Sequence, residues 1–133
     1  MICFFGELAA GKTTLIKGLV HGAADYDPSL VQSPTFNYLN IYEGSKRICH
    51  FDLYRLEGPE DFFTMGFEEY LEQETICCIE WAERIRPCLY PNHVKNTELK
   101  LARLNILHPI FTIYLTHAGD DKRQILVAET YDS

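Results

Sequence analysis

Long apolar runs, basic charge and patterned cysteines are all scarce in this sequence, and each shortage excludes a class of protein. No apolar run approaches the roughly 18 residues needed to cross a bilayer. The amino terminus also lacks a basic region followed by a long apolar one. Lys and Arg total 12 against 19 Asp and Glu, for a net charge of −7, and no long run of like charge occurs. Such a surface does not grip nucleic acid or anionic membrane by itself, so any role on nucleic acid needs a basic partner. Cys3, Cys49, Cys77, Cys78 and Cys88 are odd in number and follow neither CxxC nor zinc-finger spacing, which points to reduced thiols. The adjacent pair suits a buried strand. Repeats, low-complexity tracts and linkers are missing too, so one domain is expected over residues 1–133. A chain of this size hides about two-thirds of its unfolded surface and needs no staple. A cytoplasmic protein without a membrane partner is the expectation.

What is present is a strand, a glycine-bearing loop and a helix in that order. Residues 1–5 form a short apolar run ended by Gly6. Leu15, Ile16, Leu19 and Val20 then recur at helical spacing, with Gly22 as the predicted stop. Residues 23–34 are rich in turn formers and read as an exposed loop. Two aromatic and β-branched runs, 36–42 and 47–54, flank Glu43, Gly44 and Ser45, which predicts a hairpin and hence antiparallel pairing beside any parallel sheet. Residues 59–71 predict helical turns interrupted at Gly66, and 75–81 a central strand. A short helix over 82–85 should break at Pro87 and Pro91. Strands over 97–107, 110–116 and 125–128 are expected to close the sheet as a meander.

The loop Gly6-Glu7-Leu8-Ala9-Ala10-Gly11-Lys12-Thr13 satisfies G-x4-G-K-[ST] and lies between the predicted strand and helix. Glycines let the backbone turn sharply so that successive amides cradle phosphate oxygens. The helix start adds its positive end. Lys12 is a point charge for the outer phosphates, and the Thr13 hydroxyl suits a magnesium ion, which takes hard oxygen ligands. Thr14 completes the loop's polar end.

Such a site also needs a carboxylate at a strand end. Glu80 closes the apolar run 76–79 and sits where that acid belongs, or is an ordinary strand-end carboxylate facing water. Asp52 alternates with Phe51 and Leu53, so His50, Asp52 and Tyr54 share one face. A solvated sheet face has the same pattern, and spacing leaves Asp52 open. Thr35, after Ser33 and Pro34, belongs to a nucleotide-sensing switch or to a capped proline turn. Trp81 is a core anchor or a ligand contact. His50, with no His or Cys at ligand spacing, reads as a packed or hydrogen-bonded histidine.

The order GELAAGKTT, SPTFNYLNIY, HFDLYRL, MGFEEYL, IEWAERI resembles the TsaE (YjeE) family, from residue 1 to about residue 94. The resemblance implies an α/β, three-layer P-loop NTPase-like fold with a mixed parallel and antiparallel sheet. It implies ATP or ADP binding with Mg2+, slow ATP hydrolysis, and action with TsaD and TsaB in threonylcarbamoyl transfer to the adenosine beside the anticodon of tRNA. By position, it implies that Lys12 holds the phosphates, Thr13 ligates the metal and Glu80 is the metal-linked acid. Asp52 orients or activates water, Thr35 lies in the switch-like segment and Trp81 packs beside the nucleotide.

Three departures accompany the resemblance. Ala9 stands where the family usually has glycine, and phosphate binding is expected to survive if Ala9 adopts an ordinary φ. The tail from about residue 95 is unlike the family's usual ending, and the family's strands before the P-loop have no counterpart here. A nucleotide-dependent switch with little turnover is the alternative function. A kinase, sharing the loop, is disfavoured by the lack of an arginine-rich lid segment.

Overall fold

The computed structural model describes residues 1–71, 73–89 and 109–130. Their strands are β1 (Ile2–Gly6), β2 (Leu39–Glu43), β3 (Arg47–Asp52), β4 (Ile76–Glu80), β5 (Ile110–His117) and β6 (Arg123–Thr130). These form one sheet in the order β2-β3-β4-β1-β5-β6. β3, β4, β1 and β5 run parallel, and β2 and β6 pair antiparallel at the two edges. The expected mixed sheet is therefore present, with β4 and β1 at its centre.

Period-two alternation assigns the two faces. Cys3, Cys49, Phe51, Cys77 and Ile79 point to one core, with Phe62 of α2 (Pro59–Thr64), Leu71 of α3 (Glu68–Leu71) and Leu89 of α4 (Arg86–Leu89). Phe4, Ile48 and Cys78 point to the other, against Ile16, Val20 and Ala24 of α1 (Lys12–Ala24). Helices thus cover both faces and make three layers. The five cysteines are free and buried. Burial pushes the Cys3 and Cys78 thiols up to about 12, so both stay protonated at neutral pH.

Several predicted boundaries move for local reasons. α1 does not stop at Gly22 but continues to Ala24, because Ala24 is fully buried and the left-handed residue that ends the helix is Asp25 (φ 50), whose N–H reaches the His21 carbonyl. β2 starts at Leu39, not at residue 36: Tyr38 is left-handed (φ 64), its N–H bonds to Pro34 O at 2.7 Å, and Phe36 is exposed beneath the Arg55 guanidinium. β3 stops at Asp52, where the carboxylate turns to accept the Tyr54 N–H at 3.0 Å in place of a ladder partner. Residues Ala82–Ile85 form a 3-10 turn that runs straight into α4, and Pro87 does not break it, since a first-turn proline forfeits only an amide that has no partner anyway. The tail is not a simple meander: β5 enters parallel to β1 and only β6 turns back. The strand predicted over 97–107 lies outside the described residues.

Candidate active site

All four parallel strands end at one edge of the sheet, and the loop from Gly6 to Thr13 leaves β1 there. Two glycines make the loop possible. A methyl on Gly6 would lie 2.7 Å from the Leu115 carbonyl oxygen, and Gly11 caps α1 at φ 102, a conformation L side chains rarely adopt. Ala9 does not have the ordinary φ expected of it. It sits left-handed at φ 61, exposed, so its methyl finds room but its backbone carries strain.

A cavity of about 360 Å³ opens at this edge. Leu8, Ala9, Ala10, Gly11, Lys12, Thr13 and Thr14 form its floor, and Thr35, Asp52, Glu80 and Trp81 its wall. Gly6 and Glu7 do not line it; their carbonyls accept the Lys12 ammonium at 2.5 and 3.2 Å. Lys12 also sits 4.2 Å above the centre of the Trp81 ring, a cation–π arrangement. Burial pulls the Lys12 ammonium below its ordinary value, opposed by the negative charges of Glu80, Glu83 and Asp52.

The two carboxylates are register partners on adjacent strands, Asp52 on β3 opposite Glu80 on β4. Neither faces open water, being 6% and 3% exposed, so the solvated readings fall away. The Thr13 hydroxyl donates to Glu80, 3.0 Å from Oε1 and 3.2 Å from Oε2. Asp52 accepts Ser33 Oγ at 2.6 Å on Oδ2 and the Tyr54 N–H on Oδ1. Ser33 in turn lies 3.1 Å from the Thr35 hydroxyl. Trp81 is both anchor and wall: left-handed at φ 58, it packs on the Phe51 core and meets the Tyr54 ring at 4.9 Å.

A Thr hydroxyl beside a carboxylate, with a second carboxylate one strand away, is a donor set of hard oxygens. It fits magnesium, which keeps several waters and phosphate oxygens, better than an ion needing an all-protein cage.

Ser33 as a site group, Tyr42 and Arg123 were not singled out from the sequence. Ser33 was read only as a turn cap, yet it is the group on Asp52. Tyr54 was placed at the end of a strand and instead lines the cavity. Tyr42 OH lies 3.0 Å from His50 Nδ1, and His50 Nε2 lies 2.7 Å from Glu80 Oε2. Arg123 of β6 donates from Nε to the Ala10 carbonyl of the loop at 3.1 Å. Ser33 had a signal in its place beside Pro34 and Thr35, and Tyr54 in the strand face it shares with His50 and Asp52.

Comparison with known proteins gives the family. A family model described as "Threonylcarbamoyl adenosine biosynthesis protein TsaE" matches residues 1–118, reaching past residue 94 into β5. Relatives named tRNA threonylcarbamoyladenosine biosynthesis protein TsaE include one from Haemophilus influenzae, 42% identical over 85 residues, 63% of this chain and 52% of that protein. Another, from Rickettsia conorii, is 35% identical over 129 residues, covering 96% of this chain and 71% of the relative. The Bacillus subtilis relative is 33% identical over 121 residues, 90% of this chain and 63% of its own length. The chain thus spans little more than half the length of the Haemophilus relative.

Proposed function

Since the chain belongs to the TsaE family, we propose that it binds ATP and ADP with Mg2+ and hydrolyses ATP slowly, in support of threonylcarbamoyl transfer to the adenosine beside the tRNA anticodon. Its partners in this reading are TsaD- and TsaB-type proteins in the cytoplasm. They carry most of the contact to tRNA, in keeping with a net charge of −7 on this chain. The observation that carries the reading is the meeting of Thr13 with Glu80, at 3.0 Å, beside Asp52 and at the mouth of the glycine loop.

The loop amides and the start of α1 bind phosphate oxygens. Lys12, already held between carbonyls and Trp81, supplies a fixed positive charge to the outer phosphates. Thr13 and Glu80 hold the magnesium ion, which when bound neutralises phosphate charge. Asp52 orients the attacking water. The water oxygen bonds to the γ-phosphorus as the bond to the β–γ bridging oxygen breaks, and Asp52 takes the water proton on a lone pair that Ser33 and Tyr54 leave free. Ser33, itself 3.1 Å from the Thr35 hydroxyl, holds that carboxylate.

The test is Mg2+-dependent phosphate release from ATP, alone and with the partner proteins. Lys12→Ala and Glu80→Ala are each expected to lower turnover by about 100-fold or more, and wild-type turnover equal to that of both variants overturns the reading. A nucleotide switch with little turnover is the second reading, favoured by the left-handed Ala9 in the cradle. Partner-stimulated hydrolysis would eliminate it.

A further inference from the structure

Two side chains outside the phosphate cradle form a buried hydrogen-bonded run that ends on the metal-side carboxylate. His50 has no exposed surface, and Tyr42 and Glu80 are 4% and 3% exposed. The Glu80 carboxylate can only accept, so His50 Nε2, 2.7 Å from Oε2, carries the proton between them. On its other side, Nδ1 lies 3.0 Å from the Tyr42 hydroxyl. The single proton of that hydroxyl faces both Nδ1 and the Gln32 carbonyl, 3.0 Å away, a carbonyl that Asn40 Nδ2 also meets at 3.1 Å. Gln32 directly precedes Ser33, the residue that donates to Asp52. Both carboxylates of the site are therefore tied to one chain segment, Asp52 directly and Glu80 through an imidazole and a phenol.

We propose that His50 is a positioning residue that fixes the Glu80 carboxylate for a divalent cation and, through Tyr42, fastens it to the segment from Gln32 to Thr35. A carboxylate with both oxygens on one hydroxyl would be free to swing. The His50 bond takes one oxygen and leaves the other directed at Thr13. Groups that hold a metal ligand in this way govern metal affinity more than nucleotide affinity. The proposal rests on the Mg-nucleotide reading above, and the experiment separates the two.

ATP binding is measured by calorimetry at a series of Mg2+ concentrations and in EDTA, for wild type, His50→Ala, His50→Gln and Tyr42→Phe. His50→Ala is expected to raise the Mg2+ needed for half-maximal tightening by about 10-fold, with the EDTA affinity unchanged. His50→Gln places an amide nitrogen where Nε2 stands and should restore most of the loss. Tyr42→Phe keeps the ring packed on Tyr26, folds even if His50→Ala does not, and should shift the Mg2+ requirement by about 3-fold through the lost hydrogen bond. Unchanged Mg2+ dependence in these variants, or equal losses with and without Mg2+, overturns the proposal. If wild type binds no Mg-ATP, the nucleotide reading fails, and positioning is read on the free chain. There the Val31 and Tyr38 amides, bonded to Pro28 O and Pro34 O, flank the fastened segment. Tyr42→Phe should speed their hydrogen exchange by about 5-fold, with Leu56 unchanged as the control; no change at either amide overturns the fastening.

Discussion

The two edges of the sheet are built alike and used differently. Each adds an antiparallel strand outside a parallel one, β2 outside β3 and β6 outside β5. On the β2–β3 side the polar groups are buried and partnered: Tyr42, His50 and Asp52 each hold a named neighbour. On the β5–β6 side, β6 is exposed from Arg123 through Glu129, with Leu126 and Val127 at 60%. From β6, Arg123 donates to Ala10 of the glycine loop. The contrast locates the polar neighbours of the glycine loop on one side of the sheet. The central strands set the loop, but only a parallel neighbour ending at the same edge can set Asp52 beside Glu80, about 4.8 Å away across the sheet. The β5 side instead supports the loop from below, where Leu115 closes on Gly6.

The largest test of that division is Asp52→Asn. The amide oxygen can still accept the Tyr54 N–H while the amide NH2 donates to Ser33 Oγ, which turns its own proton toward Thr35, so folding should be kept, but the amide cannot take a proton. ATP turnover is expected to fall by about 1,000-fold with nucleotide affinity within about 3-fold. Steady-state phosphate release combined with calorimetry checks this, and a variant with near-wild turnover would move the chemistry off the β3 edge. Next in size is a pair of stability measurements. Phe51 is fully buried among Phe62, Phe67 and Tyr70. Phe51→Ala should cost about 3–5 kcal/mol in denaturant unfolding, whereas Leu126→Ser on β6 should change stability by no more than about 0.5 kcal/mol. Similar losses would mean that both edges carry the fold equally.

Arg123→Ala asks whether the β6 side touches the site at all. Removing one bond from a partly exposed guanidinium to the Ala10 carbonyl should weaken ATP binding by about 3- to 5-fold and leave the Mg2+ requirement unchanged, since Arg123 lies away from Glu80 and Asp52 in the contacts it makes. A calorimetric loss above about 30-fold would give the β5–β6 edge a part in binding equal to the opposite one.

What the sequence made legible follows from how far apart the interacting residues lie. The loop, α1 and β4 rest on patterns within a dozen residues; the strand–loop–helix order placed Lys12 and Thr13 at the start of α1, whereas Glu80, open from its strand-end position alone, took its role from the family resemblance. Asp52 stayed open because alternation alone does not say which face is covered; α1 covers it. His50 and Glu80 are 30 residues apart in sequence, Ser33 and Asp52 19, and Arg123 and Ala10 113. No local period records such pairs; only the sheet register brings them together. Turn chemistry accounts for the misplaced boundaries at Tyr38 and Asp25, where left-handed residues other than glycine delay the start of β2 and end α1.

Ala9 gives the smallest effect and bears on the point where the two edges meet the loop. At φ 61 an alanine costs about 1–2 kcal/mol relative to its preferred basins. Glycine removes that cost but gives the unfolded chain more freedom to lose on folding, so Ala9→Gly should stabilise the protein by about 0.5–1 kcal/mol net. The exposed Ala9 methyl leaves no cavity when removed. The denaturation midpoint should rise with an unchanged slope, and ATP affinity should hold or tighten slightly, because the loop then reaches its phosphate-binding shape without strain. A midpoint at or below wild type would mean that Ala9 is relaxed in the folded loop, and that the contacts of Gly6, Gly11 and Arg123 alone hold the cradle in shape.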